Sequence, residues 1–365
     1  MRPLLFWDRI KSKGLHSIFK GRENMALEEK YKPLTREELT QVIERKGRAR
    51  RIPMLYNMWI NPWIYGERSN DFNDLLQKYP YDMETVGINM PPVFRDDPNS
   101  DYSWVKKSPP PLETLGYDNR IAIEEWDEFD EMLPDLPRWD DPRLMTPAPE
   151  PGEKYRLGVW WYCFFERLWS LRGMENALTD FYLEPERVHQ LFEWLTEFYC
   201  KMMERAKKEL KLDGIFVSDD IGTQTGPFFS VEVFREFFKP YYARLIEKAH
   251  SLGMHFWLHS CGNIEAFLPD FVEIGLDVLH PIQKGTMDAA EINEKFGGKI
   301  CILAGIDVQH TMAFGDEQEV KDELHRLVSA FDRPEGGLML TFGNGNTPDW
   351  CYDNLKTLLE GSFAL

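Results

Sequence analysis

The sequence predicts an α/β chain, a parallel (β/α)₈ barrel with an N-terminal helical extension and a flap-like insertion after strand two. Two observations carry this. From residue 184 onward, short apolar runs alternate with long amphipathic stretches. Near-continuous apolar strands followed by helices are the mark of parallel strands buried on both faces. The apolar runs also number eight along the chain, the count that closes such a barrel.

In order, residues 1–50 read as helical extensions covering one end. "RIPMLYNM" (51–58) and "METVGINM" (83–90) read as the first two strands. The stretch from about 91 to 151 is rich in Pro, Asp and Trp and reads as an insertion in which two short runs form an antiparallel flap. "YRLGVWWY" (155–162) is the third strand. Helices at 185–210 and 230–253 follow from apolar residues spaced three and four apart with charges between them. The remaining strands are "GIFVSDD", "MHFWLHS", "DVLHPIQ", "KICILAGID" and "GLMLTFGN". Residues 51–365 are expected to form a single barrel domain.

Composition narrows the function. Acidic residues outnumber basic ones 61 to 43, for a net charge of -18. That field repels nucleic acid and anionic membrane surfaces, so neither is expected as a partner. Five scattered cysteines fit free thiols in a reducing compartment. The N-terminal segment lacks a secretory apolar core, and no window has the length of a spanning helix. A soluble, cytoplasmic protein is expected.

A parallel barrel carries its chemistry at the carboxyl ends of its strands. Reading those ends gives Tyr56, Asn57 and Trp59; Trp161, Tyr162 and Glu166; Ser218, Asp219 and Asp220; His259 and Cys261; His280 and Gln283; Asp307 and Gln309; Asn344 and Asn346. His259 and Cys261 are the sharpest pair, because residues two apart on a strand project to one side and can reach one ion at about 2.0–2.3 Å. The competing reading is a packed cysteine beside a helix-capping histidine. Asp219 and Asp220 would share a cation or a proton, or accept backbone N–H groups of the following loop. Asp307 reads equally as a site residue or a helix cap. "GNGNTP" lacks the lysine and spacing of a phosphate loop, and Cys301, at the start of its strand, is a poor ligand candidate.

The motifs "DGIFVSDDIGTQTGPFFSVEVFREFFKPYYARLIEKAHSLG", "LHSCGNIEAFLPDFVEIGLDVLHPIQ", "KICILAGIDVQHTMAFG" and "GNGNTPDWCYDNL", in that order, resemble the uroporphyrinogen decarboxylase superfamily. The resemblance implies a (β/α)₈ barrel. The segment after the first strand, "LYNMWINPW", has no arginine or lysine with which to hold a porphyrinogen's carboxylates. The similarity is nearer to the branch of zinc- and corrinoid-dependent methyltransferases, whose His-x-Cys motif is matched by His259 and Cys261. It implies zinc, a corrinoid (cobalamin) carried on a partner protein, and a small methyl donor or acceptor such as a methoxylated aromatic, as in an O-demethylase. Where that branch places a third, cysteine ligand, this chain has Asn344, so the third donor falls to Asp219, Asp220 or Cys351. Asp219 and Asp220 are the catalytic candidates; Tyr56, Trp59, Trp161, Tyr162, Gln283, Asp307 and Asn344 are the substrate-binding candidates. A metal-independent decarboxylase and a non-catalytic tetrapyrrole- or corrinoid-protein-binding member are the rival readings.

Overall fold

The structure is a computed structural model, and it describes residues 31–95, 97, 99–110 and 120–365. The N-terminal stretch 1–30, part of the expected helical extension, lies outside the described residues. The fold is α/β and TIM-barrel-like, with parallel strands each followed by helix. The chain divides into two compact units, Met1–Met83 with Ala304–Leu365, and Glu84–Leu303.

The second unit holds the strands that matter most for function: β1 (Met83–Gly87), β2 (Tyr155–Trp160), β3 (Gly214–Ser218), β4 (His255–His259), β5 (Val278–His280) and β6 (Cys301–Ile306), ordered in the sheet as in the chain. Strands β2 to β5 are buried almost throughout, as the continuous apolar runs require. Registers are parallel, with Ser218 level with His259 and His259 level with His280. These three strands therefore end at one rim.

The helices between them follow from their patterns. Pro185–Leu210 starts with proline in its first turn and stops at Lys211 in a left-handed conformation (φ 54°). It buries Val188, Leu191, Phe192, Leu195, Tyr199, Met202, Met203 and Ala206, a stripe at three- and four-residue spacing. At the opposite end of the strands, Arg156 is sealed by Glu84 at 2.9 Å and by the Leu210 carbonyl at 2.8 Å, where barrels place stability rather than chemistry.

The helix Lys239–Ser251 is tied to the strand that follows it through His250, whose Nε2 meets Asp277 Oδ2 at 2.8 Å. That hydrogen bond raises the His250 pKa against the effect of partial burial. A raised folded pKa contributes fully below the unfolded value of about 6.5 and is lost as pH climbs through the folded one. With His250 substantially exposed, the effect is expected to stay under about 1 kcal/mol. Urea midpoints between pH 5.5 and 8.5 should show wild type losing a small stability increment that His250→Gln never had.

Residues 91–151 contain no regular strand among those described. The insertion nevertheless folds back on itself, Val105 N donating to Val93 O and Arg95 N to Lys107 O, and touches the sheet end through a single antiparallel bridge, Ile88 with Met145. Its only α-helix among the described residues is Trp126–Met132.

In the first unit, β7 (Leu338–Phe342) pairs with the expected first strand over one parallel bridge, Met54 with Leu340. Leu55 N donates to Leu340 O and Leu340 N to Pro53 O. Residues 51–58 thus form a bridge rather than a full strand, because Pro53 has no N–H to extend the ladder and the chain turns at once, Trp59 N donating to Tyr56 O. Asp82, fully buried, gathers this segment: it pairs with Arg51 at 2.6 Å and accepts from Leu34 N and Met54 N.

Candidate metal centre

The level ends of β3 and β4 bring Asp220 opposite Cys261. Asp220 Oδ1 accepts the Cys261 N–H at 2.7 Å and lies 3.5 Å from His259 Nε2, which in turn lies 3.4 Å from Cys261 Sγ. The three ligand atoms all fall within 4.8 Å of one another. Donors around a tetrahedral zinc ion, with bonds of about 2.0–2.3 Å, stand about 3.3–3.7 Å apart. A carboxylate, an imidazole and a thiol at these separations fit such an ion.

The imidazole is held for that task. His259 is buried, and burial lowers its pKa even though Asp220 pulls the other way, so the ring is neutral, the form that binds metal. Its Nδ1 stands 2.7 Å from Nδ1 of His280, which is fully buried at the end of β5. The tautomer with Nε2 free donates from Nδ1 to His280, an outer contact of the kind that fixes ligand orientation. Trp161 sets its ring edge-on to the imidazole, centroids 6.2 Å apart.

The loop after β4 is equally constrained. Gly262 has φ +83°, and a Cβ there would stand 2.4 Å from the Gly222 carbonyl carbon. Its N–H donates to Gln283 Oε1 at 2.7 Å. Gln283 is therefore a brace for the cysteine's loop. Gly262→Ala must push the β3 and β4 loops apart and move Cys261; zinc affinity is expected to fall at least about tenfold in a chelator competition, as misplaced support shells do.

Asp219 turns the other way. Its carboxylate accepts from the backbone N–H groups of Phe164 (3.0 Å), Phe165 (3.1 Å) and Glu166 (2.8 Å), and from the Tyr242 hydroxyl (2.5 Å). It caps the helix Phe165–Arg172, and burial still pushes its pKa up to about 6. Successive residues on an extended chain face opposite sides, so only Asp220 of the pair reaches His259 and Cys261. Beside them Ser218 donates to Glu166, a buried carboxyl whose pKa is raised well above normal by burial and by Asp220 and Asp219. Glu166 and His280 were visible in the sequence only as polar residues at strand ends; neither carries a motif.

Tyr162 has φ +67°, rare for a side chain of its size, and packs its ring edge-on to Trp169 at 5.7 Å. The remaining candidates belong to the first unit and have local roles there. Tyr56 is fully buried with its hydroxyl donating to the carbonyls of Leu76 and Tyr79. Trp59 is buried and its carbonyl accepts from Asn346 N. Asp307 accepts from Gln309, His310 and Thr311 N–H groups, so it caps the short helix that follows. Asn344 Oδ1 accepts from Gly345 N, and Cys351 precedes the helix Tyr352–Ser362.

Fold and site define a parallel α/β protein with a three-donor centre at the carboxyl ends of adjacent strands. The chain belongs to the uroporphyrinogen decarboxylase (URO-D) family, whose sequence model matches residues 168–361. No curated protein sequence matches it. Among solved structures it is similar to a methyltransferase from Methanosarcina mazei, at 16% identity over 90% of this chain and 98% of that one, with a TM-score of 0.54. That likeness establishes the fold. A B12-independent methionine synthase from Shewanella aligns at 17% identity over 58% of this chain and 61% of that one, TM-score 0.41.

Proposed function

We propose that the protein is a methyltransferase that moves a methyl group between a small substrate and a corrinoid carried by a partner protein, with zinc held by Asp220, His259 and Cys261. The observation that carries this reading is the spacing of the three donors, 3.4 and 3.5 Å from His259 Nε2, in a chain of this family. Asp220 takes the third ligand position for which Asn344 is unsuited.

When bound, zinc would supply Lewis acidity, polarising the oxygen or nitrogen of a methyl donor or favouring the thiolate of a thiol acceptor. The chain's own residues do the rest. Two anionic donors, Asp220 and Cys261, balance the charge of a divalent ion, and the carboxylate makes the set harder than one of two thiolates, suited to oxygen and nitrogen groups. His280 fixes the imidazole's tautomer and rotation. Gln283 and the paired glycines hold Cys261 in place. Trp161 shields one face of His259 from water and offers an apolar wall for a methylated substrate.

The test is methylation of free cob(I)alamin from methoxylated benzenes, with zinc content measured in parallel. The expected result is about one zinc per chain and activity lost with chelator and restored by zinc. Full activity of a metal-free wild type would overturn the reading. Release of carbon dioxide unaffected by chelator or by Cys261→Ser would favour a metal-independent decarboxylase.

A further inference from the structure

The insertion and the first turn after β2 meet at a buried cation. Arg167, in the helix Phe165–Arg172, is 2% exposed, and its Nε is buried with no hydrogen-bond partner. The guanidinium stacks over Trp104 of the insertion at 4.2 Å and over Tyr162 at 5.4 Å. Trp104 is 1% exposed, and its own indole Nε1 likewise has no acceptor. Trp104 is in turn held edge-on by Trp194 at 5.6 Å, so the stack is fixed.

Two buried donors in one stack, one of them charged, are unusual. A buried charge left unpaired is costly, and buried N–H groups nearly always find acceptors. Nothing among the described residues neutralises this one. The Tyr199 hydroxyl that acts on it is already donating to the carbonyls of Tyr162 and Cys163. The other acid groups nearby are engaged: Glu166 with Ser218, and Asp219 with the helix start. The missing component is an acceptor with negative charge.

Arg167 lies at the same rim as Asp220 and His259, in the turn that follows β2. We infer that Arg167 and Trp104 form the receptor for a carboxylate group on the small substrate, so that the molecule acted on is an organic acid. The planar fork of a guanidinium matches the two oxygens of a carboxylate, and the indole N–H supplies a third donor. Stacking on two rings holds the fork in place without consuming its donors. This deepens the methyltransferase reading by naming the substrate class, and it rests on that reading only for what happens to the acid afterwards.

The test separates the two by working on metal-free protein, where methyl transfer plays no part. Thermal unfolding is followed with benzoate, its neutral isostere benzamide, or inorganic phosphate at equal ionic strength. Benzoate at about twenty times its Kd is expected to raise Tm by about 4 °C, with benzamide well below it. Arg167→Met should abolish the difference, and its unliganded Tm should equal or exceed that of wild type, since an unpaired buried charge has been removed. Trp104→Phe, which keeps the charge, should cut the benzoate shift by about half. Equal shifts from benzoate and benzamide, a preference for phosphate, a benzoate shift surviving in either variant, or an unliganded Arg167→Met with Tm lowered by more than about 5 °C would each overturn the inference. Loss of carboxylate binding with methyl transfer intact would contradict only this assignment; carboxylate binding without methyl transfer would contradict only the reaction.

Discussion

Asp219→Ala is expected to destabilise the protein by about 3–5 kcal/mol, the range for removing one partner of a buried polar network. The substitution strands the N–H groups of Phe164, Phe165 and Glu166 and the Tyr242 hydroxyl without their acceptor. Each stranded donor costs about 1–3 kcal/mol, and loss of the expensive buried charge offsets part of that sum. Asp219→Asn keeps an acceptor oxygen but turns an amide towards donors, so it should fall between wild type and alanine. The pH dependence has a definite sign. Burial raises the folded pKa to about 6 from 3.8, so the folded state binds this proton more tightly, and stability falls as pH climbs between those values. Above about pH 6 the loss is complete. Urea unfolding from pH 4 to 7 should show that decline in wild type and not in Asp219→Ala; equal slopes would mean that the carboxyl titrates elsewhere.

The second large effect concerns the metal centre. Cys261→Ser, His259→Ala and Asp220→Ala each remove one of three donors, and each is expected to lower zinc affinity by more than about 100-fold, beyond the 10–100-fold cost typical of outer-contact changes. His280→Gln, which leaves all three donors in place, should fall within that 10–100-fold range. The ordering is the informative part. A merely packed cysteine would give Cys261→Ser a stability loss with no change in metal content. Equal losses of metal in Asp219→Asn and Asp220→Ala would show that the two carboxylates are not divided as their geometry divides them.

That division marks how far the sequence could be read. The strands were legible because burial on both faces leaves continuous apolar runs, and His259 with Cys261 because a two-residue step on a strand keeps one side. Which aspartate joins them depends on the register between β3 and β4, with Ser218 level with His259, and a single sequence does not encode inter-strand register locally. His280 was seen only as a strand-end residue for the same reason: its partnership comes from β5 ending level with β4. Tyr56 looked like a pocket wall because 51–58 was read as a full strand ending at the rim; Pro53 cuts that ladder short and the tyrosine becomes a strut. The insertion followed no periodicity, since its order comes from contacts such as Arg167 on Trp104 rather than from a repeating face.

Anomalous scattering at the zinc edge from crystals grown with zinc tests the central claim most directly. The account predicts one peak about 2.0–2.3 Å from Asp220 Oδ1, His259 Nε2 and Cys261 Sγ. No peak at these atoms, or a peak ligated by Asp219 in place of Asp220, would contradict it.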